Sequence, residues 1–201
     1  MASISIDGMN WDQRTRTLFE GLGALGPRRA IVVRRAQKRA ATKAARYARR
    51  QLARVAASAI GVPQSTFITH RIRIRITEKE LWEATVWVGE DPFPAHRLGT
   101  VRWNRRMTGA RAGRRTFPGS FAHRAPEGPI FIRTGESPRI MTRGSHGGEV
   151  REPIDRLDIP FQEVVRANVP RISRETQRRY QRIMAQELNF ELQKLLGKTD
   201  R

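Results

Sequence analysis

The longest periodic stretch of the chain runs from Pro27 to Ile60. Val33, Ala36, Ala40, Ala44, Ala48, Leu52, Val55 and Ala59 recur there at three- and four-residue steps, which line one face of a helix. Alanine, the best helix former, recurs throughout, and no glycine or proline interrupts. Gly26 and Pro27 suit a helix start and Gly61-Val62-Pro63 suits a stop, so the pattern predicts one long helix. On another face Arg35, Arg39, Lys43, Arg46, Arg50 and Arg54 follow the same steps. Cations stacked in this way repel by roughly 0.2–0.5 kcal/mol per neighbouring pair. Nothing inside the helix offsets that, so the offset is expected from outside it.

Elsewhere the period changes. Ser3-Ile4-Ser5-Ile6 alternates and predicts a strand at a sheet edge. Asn10 or Asp12 can cap a short helix carrying Trp11, Leu18, Phe19 and Leu22. Arg71 to Ile76 alternates strictly, which predicts a half-buried strand with its arginines outward. Leu81 to Gly89 predicts a second strand, with Ala84, Val86 and Val88 on one face and Thr85 and Trp87 on the other. The two should form a hairpin turning at Glu78-Lys79-Glu80, with Glu80 and Glu83 facing strand arginines. Residues 100–126 read as a basic, glycine-containing excursion, an extended loop or a long hairpin. Gly128–Arg133 and Arg139–Thr142 read as short strands, and Arg143–Gly148 as a flexible turn. Phe161 to Asn168 predicts a short helix, and Pro170 starts a longer one to about Leu196, stopped by Gly197.

This order predicts an α+β fold, in which a small antiparallel sheet packs with a long basic N-terminal helix and a C-terminal helix. The expected organisation is an arm with a short helix over 1–26 and a single α+β domain over 27–201.

Charge changes the picture more than length does. The net charge is +20, and it is zoned. Residues 21–77 hold fourteen bases and no acid, and residues 92–126 hold eight arginines and no acid. A basic surface is expected rather than a uniformly cationic chain. Of 39 bases only five are lysine, and arginine's planar fork suits phosphates, carboxylates and interfaces. No cysteine is present, which removes disulfides, zinc fingers and thiol nucleophiles. No apolar run approaches the ~20 residues that cross a bilayer, and the first residues lack a signal-peptide pattern. A soluble protein made in the cytoplasm is expected.

Catalytic and metal motifs fail in turn. His70, His96, His123 and His146 share no ligand spacing, so no metal or cofactor is expected. Glu149, Glu152, Asp155 and Asp158 cluster, but salt bridges to Arg151 and Arg156 account for them more simply. Gly109-Ala-Arg-Ala-Gly113 lacks the ending of a phosphate-binding loop, and no nucleophile elbow appears. The residues do not argue for an enzyme. Nonspecific nucleic-acid binding, as in a nucleoid- or ribosome-associated protein, is the competing reading, because Trp82, Trp87, Trp103, Phe117 and Phe121 flank or sit in basic zones. An acidic protein partner accounts for the same surface.

Several pieces in order resemble the phage minor tail protein Z family, the tail completion proteins of lambda-like long-tailed phages. They are the helix end Ala56-Ala57-Ser58-Ala59-Ile60-Gly61-Val62-Pro63 and the basic segment Arg71-Ile72-Arg73-Ile74-Arg75. They continue with Thr116-Phe117-Pro118-Gly119-Ser120-Phe121 and with Pro153-Ile154-Asp155-Arg156-Leu157-Asp158-Ile159-Pro160, leading into the closing helix. Ser120 stands where the family more often has alanine. The resemblance implies a structural virion protein at the head-proximal end of the tail, aiding head–tail joining, with no catalysis. It implies a homo-hexameric ring that would concentrate roughly 120 positive charges near acidic partners or DNA. On this reading Arg35, Arg39, Lys43, Arg46, Arg50 and Arg54 form a subunit or ring interface with a terminator, connector or head-completion ring. Charge reversal at Arg39, Lys43 and Arg50 is expected to leave the monomer folded and to block assembly. Arg102, Arg105, Arg106, Arg111, Arg114 and Arg115 would meet the next ring or DNA in the lumen.

Overall fold

A computed structural model describes residues 2–6, 12–26, 28–78, 82–103, 108–122, 126, 128–133 and 154–195. The chain begins with β1 (Ala2–Ile6), α1 (Gln13–Gly21), the long α2 (Arg28–Ile60) and the short α3 (Gln64–His70). Two strands follow, β2 (Ile72–Glu78) and β3 (Trp82–Val88). A run of short strands comes next: β4 (Phe93–Pro94), β5 (Val101–Trp103), β6 (Gly109–Ala112), β7 (Arg115–Pro118) and β8 (Ser120–Ala122). Then come β9 (Ile130–Arg133), β10 (Ile154–Arg156), β11 (Asp158–Ile159) and the closing α4 (Gln162–Leu195). The fold is α+β, and every strand pair among the described residues is antiparallel. Two compact units result, Met1–Glu90 with Gln162–Arg201, and Asp91–Phe161.

In the first unit the sheet order is β1-β3-β2, so the N-terminal strand takes an edge, as its alternation predicts. Ile4 and Ile74 flank Val86 across the sheet, and Ser3 and Arg73 flank Trp87 on the opposite face. Ile4, Ile6, Ile72, Ala84, Val86 and Val88 are buried, whereas Arg73 and Arg75 are exposed. Helices α2 and α4 pack against this unit's sheet and along each other. Asp12 is the cap of α1: the Thr15 N–H donates to its Oδ1 at 2.9 Å.

Helix α2 buries a wider stripe than its three- and four-residue steps suggest. Val32, Ala41, Ala45, Ala53, Ala56, Ala57 and Ile60 are buried as well, while Val55 and Ala59 are half-buried. The reason is that α2 contacts α4, α3 and the sheet, so more than one side is covered. Alanine fits such a site because it lets neighbouring backbones approach without losing side-chain entropy. The helix stops as expected at Gly61, whose φ of 82° suits a residue without Cβ. The N–H groups of Gly61 and Val62 both donate to the Ala57 carbonyl, at 2.7 and 3.1 Å.

The expected break before Pro170 does not occur. Helix α4 runs unbroken from Gln162 to Leu195 with Pro170 inside it. An interior proline removes one backbone hydrogen bond and costs about 3 kcal/mol in an isolated helix. Val165 and Ile172, one on each side of the exposed Pro170, are fully buried, so packing carries the helix through.

In the second unit the described part of the basic excursion includes the sheet β5-β6-β7, the hairpin-like alternative rather than an open loop. Two further sheets, β10-β9-β8 and β11-β4, surround a small core of Ala95, Val101, Ala110, Ala112 and Ile130. The Ser120 hydroxyl accepts from the Ala110 N–H at 3.2 Å and donates to the Phe117 carbonyl at 2.6 Å, linking β8 to β6 and β7. The strand expected at Arg139–Thr142, the turn at 143–148, and Lys79 and Glu80 lie outside the described residues.

Gly109 opens β6 where β7 crosses closest: a Cβ there would sit 2.1 Å from the Phe117 carbonyl oxygen. Gly109→Ala should therefore force β6 and β7 apart and destabilise the second unit by about 1–3 kcal/mol. Urea unfolding followed by the fluorescence of Trp103 should show an earlier transition for that unit.

Candidate interaction surfaces

The six cations of the α2 row divide into two groups. Helix α4 brings Glu187 and Glu191, both more than nine-tenths buried, to Arg39 and Lys43. Arg39 Nε lies 2.7 Å from Glu187 Oε2, and its Nη2 donates to Glu191 Oε1. Lys43 Nζ donates to Glu187 Oε1 at 2.5 Å. A buried carboxylate without a cation is costly, so these pairs are part of how α4 docks on α2. The offset for the repulsion does come from outside the helix, but at these two positions it comes from the same chain. The expectation that reversal of Arg39 or Lys43 spares the fold is corrected accordingly.

Arg35, Arg46, Arg50 and Arg54 are exposed and have no carboxylate partner among the described residues. Lys43, Arg46 and Arg50 come together with Arg49 of α2, Ile68 of α3, and Arg179, Ile183 and Gln186 of α4 around a groove of about 620 Å³. Among the described residues five cations and no carboxylate line it. Arg49 Nη2 donates to the Ile68 carbonyl at 2.5 Å, which holds the side chain, and no carboxylate among the described residues pairs with its charge. The Arg179 guanidinium lies 4.7 Å from the centroid of the Tyr47 ring. Tyr47 is held in turn by its hydroxyl, which donates to Glu175 Oε2 at 3.2 Å. Positive charge collected in a concavity with protein walls raises the local potential more than the same charge spread over a surface.

Arg35 and Arg54 do not line this groove. Arg54 borders a separate depression with Val55, Ser58, Ala59 and Val164. Two of the groove's cations lie off the row. Arg49 is visible in the sequence only as one of the bases in an acid-free zone. Arg179 belongs to a distant helix, and only packing brings it here.

The second unit carries a basic surface of its own. Arg102 of β5 stands directly opposite Arg111 of β6, and Arg111 opposite Thr116 of β7. Like charges in register across a sheet are destabilising unless something neutralises them. Arg111 Nε donates to the Gly113 carbonyl at 3.1 Å, again a neutral partner. Arg114 is exposed in the turn and Arg115 is exposed on β7. Trp103, 43% exposed, lies at the end of the edge strand β5. Arg105 and Arg106 lie outside the described residues.

Nothing in these surfaces has the form of a metal centre: no group of three His, Asp or Glu among the described residues could hold an ion. Asp158 is paired with Arg156 at 2.7 Å, as the salt-bridge reading of that acidic cluster expects, while Glu149 and Glu152 lie outside the described residues. His96 is half-buried, and burial, then Arg97 and Arg156, hold its pKa below the ordinary value. No helix among the described residues is long and apolar enough to cross a membrane.

A family model described as prophage minor tail protein Z matches residues 28–199. No curated protein and no solved structure matches the chain.

Removing one side of the α2–α4 ion pairs should cost stability. Arg39→Ala leaves two carboxylates short of a partner; since Arg39 is itself partly exposed to water, a loss of about 2 kcal/mol is expected, below the value for a fully buried pair. Arg46→Ala should change stability by less than about 0.5 kcal/mol. Denaturant unfolding of the two variants checks the contrast. In the same unit Glu90 accepts from Arg166 Nη2 at 2.5 Å and Nε at 3.2 Å, and this pairing is the largest of the causes that lower its pKa from 4.5 to about 2. The lowered value means that the pair's contribution is full above pH 4.5 and is lost as pH falls through about 2. Arg166→Ala should return the Glu90 titration toward 4.5, read by NMR on the side-chain carboxyl.

Proposed function

The chain belongs to the prophage minor tail protein Z family, structural proteins of the phage tail, and from that premise we propose that it completes the head-proximal end of the tail and helps join it to the head. It acts there as part of a ring, with six copies matching the sixfold symmetry of tails, and its place in the virion is the neck side of the tail. The observation that carries this reading is the uncompensated charge held on rigid elements. Arg46, Arg49, Arg50 and Arg179 stand on two long helices with no carboxylate to meet them among the described residues. A chain that keeps such repulsion in its folded state gains when an anionic surface covers it. A terminator, connector or head-completion ring would supply that surface. No cofactor and no catalysis belong to this role.

The pair Arg102 and Arg111 favours a second contact, with the neighbouring ring or with DNA in the lumen, and the exposed Trp103 is the next residue of the same edge strand. Arginine with an available aromatic ring is the combination that holds nucleic acid without reading its sequence.

Gradient-purified particles analysed by mass spectrometry, with antibody-labelled electron microscopy for position, test the proposal. A few copies per particle at the head-proximal end are expected. Absence from particles, with the protein on ribosomes or chromosomal DNA instead, would replace it with the nucleic-acid reading.

A further inference from the structure

Resting on the assembly reading above, we infer that the groove between α2, α3 and α4 is the socket for an acidic peptide segment of a different protein, one that carries an apolar side chain among its carboxylates. The first observation is charge. Lys43, Arg46, Arg49, Arg50 and Arg179 line the groove, and of these only Lys43 meets a carboxylate, Glu187, among the described residues. Arginine forks receive carboxylates through two parallel hydrogen bonds, so several carboxylates on one strand of peptide can be held at once.

The second observation is the apolar part of the lining. Ile68 and Ile183 come from different helices to the same groove. A phosphodiester backbone makes no use of apolar contacts, whereas a leucine or isoleucine flanked by acids would bury its side chain there. The third is what the groove lacks. None of its lining residues among the described ones is aromatic, although single-stranded nucleic acid is commonly held by stacking on aromatic rings. The fourth concerns a second copy as occupant. Each copy carries a net charge of +20, so this basic groove draws an acidic chain of another protein more strongly than a second copy, which leaves contacts between copies in a ring to other surfaces.

The groove is also prepared for this role. Arg49 is fixed by the Ile68 carbonyl, and Arg179 by the face of Tyr47. Side chains already held in place lose less freedom when a ligand arrives.

The test uses the full chain and fluorescence anisotropy with three labelled probes at matched salt. They are a twelve-residue peptide of Glu and Asp with a central leucine, the same peptide with serine in place of leucine, and a twelve-nucleotide DNA as single strand and as duplex. The leucine peptide should bind more tightly than the serine peptide. Arg46→Ala and Arg50→Ala should each weaken it about tenfold, and Ile68→Ser should weaken the leucine peptide while leaving the serine peptide unchanged. Circular dichroism confirms that each variant is folded, and Arg35→Ala, outside the groove, controls for bulk charge. Three results would overturn the inference. One is DNA binding with the same dependence on Arg46 and Arg50 and none on Ile68. Another is peptide binding that all arginine variants reduce equally, and the third is self-association that Arg50→Ala abolishes. Peptide binding to the isolated chain does not depend on its place in the particle, so failure here and failure of the particle measurement are separately visible.

Discussion

The contact on which the first unit depends is the one between α2 and α4. Alanines on α2 let the two long helices lie close, and Arg39 and Lys43 then meet Glu187 and Glu191. The two halves of this contact need each other. The carboxylates can be buried only because cations face them, and the cations of α2 are tolerable at that end only because the carboxylates are there. The same docking carries α4 through Pro170 and closes the sheet β1-β3-β2 on one face.

Charge compensation is partial, and where it stops is informative. Toward the middle of α2 the α4 side changes from glutamate to Arg179, Ile183 and Gln186, and the groove there gathers cations from both helices. In the second unit arginines again stand opposite each other in register. Folding stability alone favours neither arrangement. Both are what a subunit of a larger assembly needs, since a surface satisfied within its own chain has little left to offer a partner. Membership of a tail-protein family and this unspent charge agree, although they come from independent kinds of observation.

Much of the architecture was legible from local pattern. The period of α2, its glycine stop, the Arg71–Ile76 alternation and the edge strand at Ser3–Ile6 are dictated by neighbours in the sequence, because pattern and geometry share the same repeat. The basic row on α2 was legible for the same reason. The pattern failed at Pro170, where a local penalty is outweighed by packing on elements far along the chain. It was also silent about Gln37, a fully buried amide inside the alanine stripe with no partner for either polar atom among the described residues.

The sequence by itself determined that this protein has a long basic helix, an α+β order of elements and basic stretches free of acids. Those properties depend on residue type and short spacing alone. Only the tertiary structure decided which cations are spent. Glu187 lies 148 residues from Arg39 and 144 from Lys43, and no local rule pairs them. Docking of α4 pairs the charge of Arg39 with Glu187 and Glu191 and brings Arg179 to the groove, turning a row on one helix into a groove made by three. Long-range packing sets that boundary because charge is compensated by what lies within a few ångströms in space, whatever its distance along the chain.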